Sequence, residues 1–313
     1  MTLQQLAYFV AVAETRHFTR AAQASHVAQP SLSRQVHALE RELGAPLFSR
    51  TRGNVALTPS GEALLPLARR ILADTETART EVLELIGLRR GRLRLGATPS
   101  LCVTLVADVL RRFHDSYPGI ELEVTENGSR DLVRQLDQGE LDVALVIVPA
   151  SGADERLVLQ PLLREDLVVA SPAGEPPPTR RSRFRLADLR DRPLVMFREG
   201  YDLRDVTLQA CQQAGVRPRL SVEGGEMDAV LRFVEAGLGI AIVPSMVLAD
   251  RAGLRATPLA APGLSRTIAL AHRSGVTPIH AARAFGTTLL ETVADSAARG
   301  GLPSGVRRVR AAT

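Results

Sequence analysis

FTRAAQASHVAQPSLSRQVHALERELGAPLFSRTRG, Phe18–Gly53, decides how this chain is read. It predicts short helices, a longer helical section and a basic hairpin, the order of a helix-turn-helix with a wing. Ala21 and Ala22 are small enough for one helix to cross another closely. Pro30 opens a helix, because the first helical residue has no intrahelical use for its N–H. Leu32, Val36 and Leu39 then keep a spacing of three to four, so one face packs inward. The opposite face carries Gln29, Ser31, Ser33, Arg34 and His37. Such a face suits DNA: Arg forks onto guanine, Gln onto adenine, and Ser reaches base or phosphate. A plain helical hairpin gives the same local pattern. The neighbours separate the two: an amphipathic helix before it (Leu3, Leu6, Val10, Ala13), a basic wing and a long helix after it.

The wing, Pro46–Leu57, places Arg50-Thr-Arg52 beside the turn residues Gly53 and Asn54, where the two arginines meet phosphate or a minor groove. Residues 1–58 hold six Arg against three Glu. Thr58-Pro59 starts the next helix, with Thr as N-cap and Pro at the first helical position. Along it Leu64, Ala68, Ile71, Thr75, Ala78, Val82 and Leu85 alternate spacings of four and three. That stripe predicts a seam between two copies of the helix, against the alternative of packing on its own domain.

From Gly91 strands and helices alternate, which implies a parallel α/β sheet. Strands are predicted at Leu93–Ala97, Glu121–Val124, Leu141–Val148, Leu194–Phe197, Leu220–Glu223, Leu238–Val243 and Thr267–Ala271. Helices are predicted at about 100–117, 129–138, 202–214, 226–236 and 279–297. Ser171–Arg181, rich in Pro and Gly, is expected to be an exposed loop.

The chain has 313 residues, 45% hydrophobic and 23% charged, enough for two or three folded domains. It lacks a run of about 18 apolar residues and a basic segment before its apolar N-terminus. Neither a membrane span nor export is expected, and a cytoplasmic location follows. Every one of the 39 basic residues is Arg, and the net charge of +5 permits nucleic-acid binding without requiring it. Cys102 and Cys211 sit far apart in apolar stretches, as inert buried thiols or, if folding joins them, a redox pair. Metal-ligand spacing, GxSxG, P-loop and dinucleotide fingerprints are all missing, so neither enzyme nor cofactor is indicated.

These features together resemble the LysR-type transcriptional regulators over about residues 3–295. Asn127-Gly-Ser129, Gly139-Glu-Leu-Asp142 and Ala236-Gly-Leu-Gly-Ile-Ala-Ile-Val-Pro244 add to the match in the second half. The resemblance implies a winged helix-turn-helix domain, 1–58, and a linker dimerisation helix, 59–90. It then implies an α/β effector-binding domain of the two-lobed, periplasmic-binding-protein-like kind, 91–298. One lobe would span about 91–165 and 268–298, the other about 166–267, with two crossing strands between them. The tail 299–313 falls outside and reads as disordered.

The resemblance also implies the sites. DNA contacts fall to Thr19, Gln29, Pro30, Ser31, Ser33, Arg34, His37, Arg50 and Arg52. An effector would meet Thr98, Pro99, Ser100, Ser129, Phe197, Arg198, Tyr201 and Gly224 at helix starts and strand ends, where N–H groups favour an anion. Arg198 is the charge partner expected for a carboxylate. Ser100 and Ser129 as mere N-caps, and Arg198 as a solvated loop residue, remain the alternatives. The expected partners are double-stranded DNA at an interrupted palindrome, further copies of the chain in a dimer of dimers, and RNA polymerase. The competing function is a small-molecule binding protein or α/β enzyme with an accessory helical domain. It leaves the wing and the seam helix unexplained.

Overall fold

The structure is a computed structural model that describes residues 1–51, 54–85, 91–149 and 155–309. The chain forms two compact units.

The first unit opens with α1 (Leu3–Thr15), α2 (Phe18–Ala24) and α3 (Gln29–Leu43). Thr2 and Gln5 cap α1 reciprocally, each side chain taking the other's backbone N–H. Leu6, Phe9 and Val12 are buried, while Leu3, expected on that face, is exposed because the buried stripe is centred on Phe9. α3 follows the extended Ala28, buries Leu32, Val36 and Leu39 as the spacing predicts, and stops at Gly44 in the left-handed region. The wing is β1 (Phe48–Thr51) paired with β2 (Asn54–Leu57), Thr51 opposite Asn54. Arg52, Gly53 and the side chain of Arg50 lie outside the described residues.

α4 (Pro59–Leu85) starts on Thr58, whose hydroxyl accepts from Gly61 N–H at 3.1 Å. A side chain on Gly61 would overlap the Leu47 carbonyl, so this turn needs glycine. The expected seam divides. Ala68 is fully buried, and Leu64 and Ile71 pack with it on the core of α1–α3. That half of the stripe therefore serves its own domain. Leu67 and Val82 are exposed instead. Residues 86–90, the end of the expected linker, lie outside the described residues.

The second unit runs β3 (Gly91–Ala97), α5 (Pro99–Leu101), a π-helical turn (Cys102–Val106), α6 (Ala107–Ser116), β4 (Ile120–Glu126), α7 (Ser129–Asp137, of which Arg134 onward to Leu141 groups with the first unit), β5 (Val143–Ile147) and β6 (Leu157–Pro172). It continues through β7 (Pro193–Met196), α8 (Asp202–Gln213), β8 (Arg219–Glu223), α9 (Met227–Glu235), β9 (Ala241–Pro244), β10 (Leu254–Pro258), β11 (Ser265–Arg273), α10 (His280–Ala298) and β12 (Val306–Arg308). The helix expected over 100–117 is thus interrupted by a π turn, a distortion common beside functional sites.

β3 pairs in parallel with β4 and β5, and β11 runs antiparallel to β5. β6 is the element that makes two lobes of one sheet. Its first part, to Asp166, pairs with β11, and its later part, Leu167–Pro172, pairs with β9 and β10. Each lobe has its own core, one around Leu93, Phe113 and Phe285, the other around Phe184, Phe197 and Leu231. β7 and β8 form a separate parallel pair in the second lobe.

The tail departs from expectation. Rather than being disordered, 299–309 are ordered, with β12 pairing antiparallel to Leu163–Glu165 of β6. Asp166 N–H donates to Gly305 O, and Val309 N–H to Leu162 O. The Gly, Pro and Arg content hides two apolar residues, Leu302 and Val306, that pack on the first-lobe core. They hold the segment against an edge of β6 that would otherwise expose unpaired backbone.

Candidate nucleic-acid interface and effector cavity

α3 presents Gln29, Pro30, Arg34 and His37 exposed and Ser31 and Ser33 half-buried, with Thr19 exposed at the start of α2. The face expected to meet DNA is therefore open. Arg34 Nε donates to Pro30 O at 3.3 Å, which turns its guanidinium back along the helix. His37 pairs with Glu40 at 2.8 Å. Glu40 also accepts from Leu47 N–H and Phe48 N–H, so one carboxylate ties α3 to the root of the wing. Sequence reasoning missed that brace.

In the second unit, a cavity of about 900 Å³ lies between the lobes. Of the residues proposed from the sequence, Thr98, Pro99, Ser100, Ser129 and Tyr201 line it, together with Val146, Ile147, Leu159, Leu203 and Val206. Phe197, Arg198 and Gly224 do not line it. Phe197 is buried in the second-lobe core and stacks on Tyr201 with centroids 4.6 Å apart. Arg198, the expected partner of a carboxylate, is half-exposed and engaged by Glu226 at 2.7 Å. Gly224 has φ +120° and bonds Met196 O. Its role is the turn, which glycine alone tolerates.

Arg130, Arg164 and Arg266 all line the cavity, and the buried one is Arg266, which sequence reasoning overlooked. Its side chain is 7% exposed, and its Nη1 donates to Ser100 Oγ at 2.9 Å. Nε donates to Glu165 Oε2 at 2.8 Å, and Glu165 is fully buried and also accepts from Met246 N–H. Nη2 lies 2.8 Å from the same oxygen but makes no hydrogen bond of good geometry with it. Thr98 Oγ1 is likewise buried without a partner among the described residues. Buried donors with unused capacity are costly, about 1–3 kcal/mol each, unless something occupies them.

Ser129 is no simple cap. Its hydroxyl accepts from Ile147 N–H at 3.1 Å, and its own N–H donates to the Asp202 carboxylate at 3.2 Å. Asp202 comes from α8, in the other lobe. Arg130 beside it pairs with Asp205 of α8. The start of α7, with its free N–H groups and positive dipole end, thus holds a carboxylate supplied by the chain itself.

Burial pushes the Tyr201 hydroxyl well above its ordinary range, with Arg266 working the other way, so it stays a neutral donor. Burial, reinforced by Glu126, pushes the Cys102 thiol up to about 12. Burial also raises Cys211. Cys102 packs against the first-lobe core and Cys211 within the second-lobe core, and both are free. Among the described residues no group of His, Cys, Asp and Glu could hold a metal, and no helix is long and apolar enough to cross a membrane.

An open recognition helix with a wing, joined in sequence to a two-lobed α/β unit with an interlobe cavity, has counterparts among known proteins. Residues 3–62 match the bacterial regulatory helix-turn-helix protein, lysR family, and residues 87–294 match the LysR substrate binding domain. The chain belongs to the LysR family of transcriptional regulators. This LysR-family chain is 35% identical over 277 residues to a probable hydrogen peroxide-inducible genes activator of Mycobacterium avium, covering 87% of this chain and 88% of that protein. A solved full-length OxyR variant from Pseudomonas aeruginosa superposes with TM-score 0.73 at 29% identity, covering 100% of this chain and 99% of that one. Full-length CbnR complexed with its target DNA gives TM-score 0.67 at 27% identity, covering 95% and 100%. The chain is a DNA-binding transcriptional regulator with an effector-binding domain.

Proposed function

We propose that this regulator's promoter binding is set by a small organic carboxylate held in the interlobe cavity. The observation that carries the reading is Arg266, buried on the cavity wall with Nη2 outside any good hydrogen bond, beside the unpartnered Thr98 hydroxyl. The carboxylate would fork onto Arg266, with Ser100, Thr98 and Tyr201 as further partners. Val146, Ile147, Leu159 and Leu203 would receive an apolar body. A negative effector would also compete with Asp202 for the start of α7. That competition supplies the differential affinity through which a ligand changes the balance of two lobe arrangements.

Thiol chemistry supports this chain's response poorly. The Mycobacterium avium relative is named for hydrogen peroxide. The reactive form of cysteine is the thiolate, which a lowered pKa favours. Both thiols here are shifted the other way and sit in separate cores. The response is therefore non-covalent.

On DNA, two copies joined through α4 would present two α3 helices to half-sites about one helical turn, or a multiple, apart. Leu67, Ala78 and Val82 are exposed and fall within about 60° of one another at 100° per residue, which leaves an apolar stripe for that pairing. A dimer of dimers extends the same arrangement.

Calorimetry with mono- and dicarboxylates carrying apolar bodies tests the effector. The parent should bind one equivalent, and Ser100→Ala and Arg266→Gln should each weaken it, with Arg198→Ala neutral. Tight binding of a neutral apolar compound, indifferent to Arg266→Gln, would refute the assignment.

A further inference from the structure

The ordered tail builds a wall of a second cavity, about 550 Å³, in the second unit. Ser304, Gly305 and Arg307 come from the tail, Arg164 and Asp166 from β6, and Arg183 from the loop after it. Among the described residues the charges there are unbalanced: three arginines line the cavity with one aspartate, leaving two positive charges. The register makes this costlier. Arg307 stands directly opposite Arg164 on adjacent antiparallel strands, a placement in which like charges repel. Among the described residues Asp166 pairs with Arg307 alone, at 3.5 Å. The other two guanidinium groups are held in place by neutral acceptors, Arg164 Nε by Ser265 Oγ at 3.1 Å and Arg183 Nη1 by Leu259 O at 3.3 Å. Their remaining N–H groups have no partner among the described residues. Beside Gly305, the Ser245 hydroxyl is buried and has no partner among the described residues.

We propose that this cavity is a second ligand site, for a small phosphate-bearing anion. A phosphate monoester carries about 1.5 to 2 negative charges near neutral pH, which matches the two unbalanced positive charges. Its oxygens accept the paired N–H groups that Arg presents, and one tetrahedral head can bridge Arg164 and Arg307 and remove their repulsion. The effector cavity differs in that one of its three lining arginines, Arg266, is buried, and in its long apolar walls. Arg164 and Ser265 border both cavities, so an anion here would act on the strands that join the lobes. The tail lies beyond residue 294, where the family match ends, while Arg164, Asp166 and Arg183 lie within it.

The test is calorimetry of the full-length protein with inorganic pyrophosphate in metal-free buffer at fixed ionic strength. One saturable equivalent is expected. Arg307→Ala and Arg183→Ala, both exposed positions, should each weaken it by about tenfold, roughly the loss of one charge-assisted contact. Arg307→Gln serves as a second, milder variant should Arg307→Ala disturb the tail. Ser100→Ala, in the effector cavity, and Arg34→Ala, on the recognition helix, should leave it unchanged. Absence of saturable binding overturns the proposal. So does binding that persists in both arginine variants, or that falls with Arg34→Ala, since the basic DNA-binding face would then be the site.

Discussion

Replacing Arg266 by Met tests whether the buried pair with Glu165 organises the effector cavity. Met keeps much of the alkyl stem, so packing is largely retained while the charge is lost. Two effects compete. Losing the bond to Ser100 costs about 1 kcal/mol. Stranding Glu165, fully buried with Met246 N–H as its other donor, costs about 3–5 kcal/mol. Solvent screening gives little discount, because the two side chains are 7% and 0% exposed. The stranded carboxylate therefore dominates. With a urea m-value of about 3 kcal/mol/M, the combined loss of about 4–6 kcal/mol should lower the unfolding midpoint of the effector-binding unit by about 1.3–2 M, read by far-UV circular dichroism.

The sign of the second substitution makes the argument specific. In Arg266→Met/Glu165→Met no charge is stranded, so the double variant should recover more than half of the loss. The effector should bind neither variant, while the parent operator should still be bound by both. An Arg266→Met that loses less than about 1 kcal/mol would refute the reasoning. So would a double variant whose loss equals the sum of the two singles, because the two side chains would then be uncoupled.

On DNA, Arg34→Ala should cost about 1–3 kcal/mol on the specific operator and little elsewhere, whereas Arg50→Ala or Arg52→Ala should weaken all sequences and flatten the salt dependence. Fluorescence anisotropy at several salt concentrations separates the two, and an Arg34→Ala with parental operator affinity removes that residue from base reading. For assembly, Val82→Asp should lower the oligomeric order in light scattering and leave the fold intact, while Ala68→Asp should unfold the DNA-binding unit, since Ala68 is fully buried there. A protein that is monomeric at micromolar concentration before any substitution would contradict the pairing through α4. Alkylation of Cys102 should be very slow at neutral pH and accelerate as pH rises toward about 12, because the thiolate is the reactive form and burial holds the proton on. Peroxide should leave operator binding unchanged, and loss of binding that Cys211→Ser abolishes would restore a thiol response.

How much was legible in the sequence follows from where local pattern and packing agree. α3 was legible because Leu32, Val36 and Leu39 follow one helical stripe and Gly44 ends it. The cavity edge at Thr98–Ser100 was legible because a strand runs directly into a helix start. β6 was not recognised, since Pro161 and the run Arg164-Glu-Asp166 break its apolar pattern. Those breaks fall where the strand changes partners, from β11 to β9 and β10, and passes from one lobe to the other. α4 misled for a related reason: one stripe is shared between the domain's own core and the surface, and spacing alone does not say where the division falls. Arg266 did leave a trace. It occupies the inward phase of Arg266, Ile268 and Leu270, where a cation is exceptional, and an inward-facing charge in a strand needs a buried counterpart. Arg198, two residues before Gly200 in a loop, had the easier look of a ligand and the solvent access that makes it a poor one.

The position of that overlooked pair explains how a small molecule would reach DNA. Glu165 and Arg266 stand opposite each other on β6 and β11, where the chain passes between lobes. A carboxylate that engages Arg266 acts at the crossing rather than on one lobe. The contacts Asp202 to Ser129 N–H and Arg130 to Asp205 join the lobes at the cavity mouth. An effector anion that takes the start of α7 removes one of them, so the bound and unbound states differ in a contact between lobes. If lobe arrangement sets the separation of two α3 helices, the effector's affinity must change on operator binding by the factor by which it changes operator affinity. Asp202→Asn weakens the internal competitor and should therefore tighten effector binding and shift operator affinity toward its effector-bound value before any effector is added.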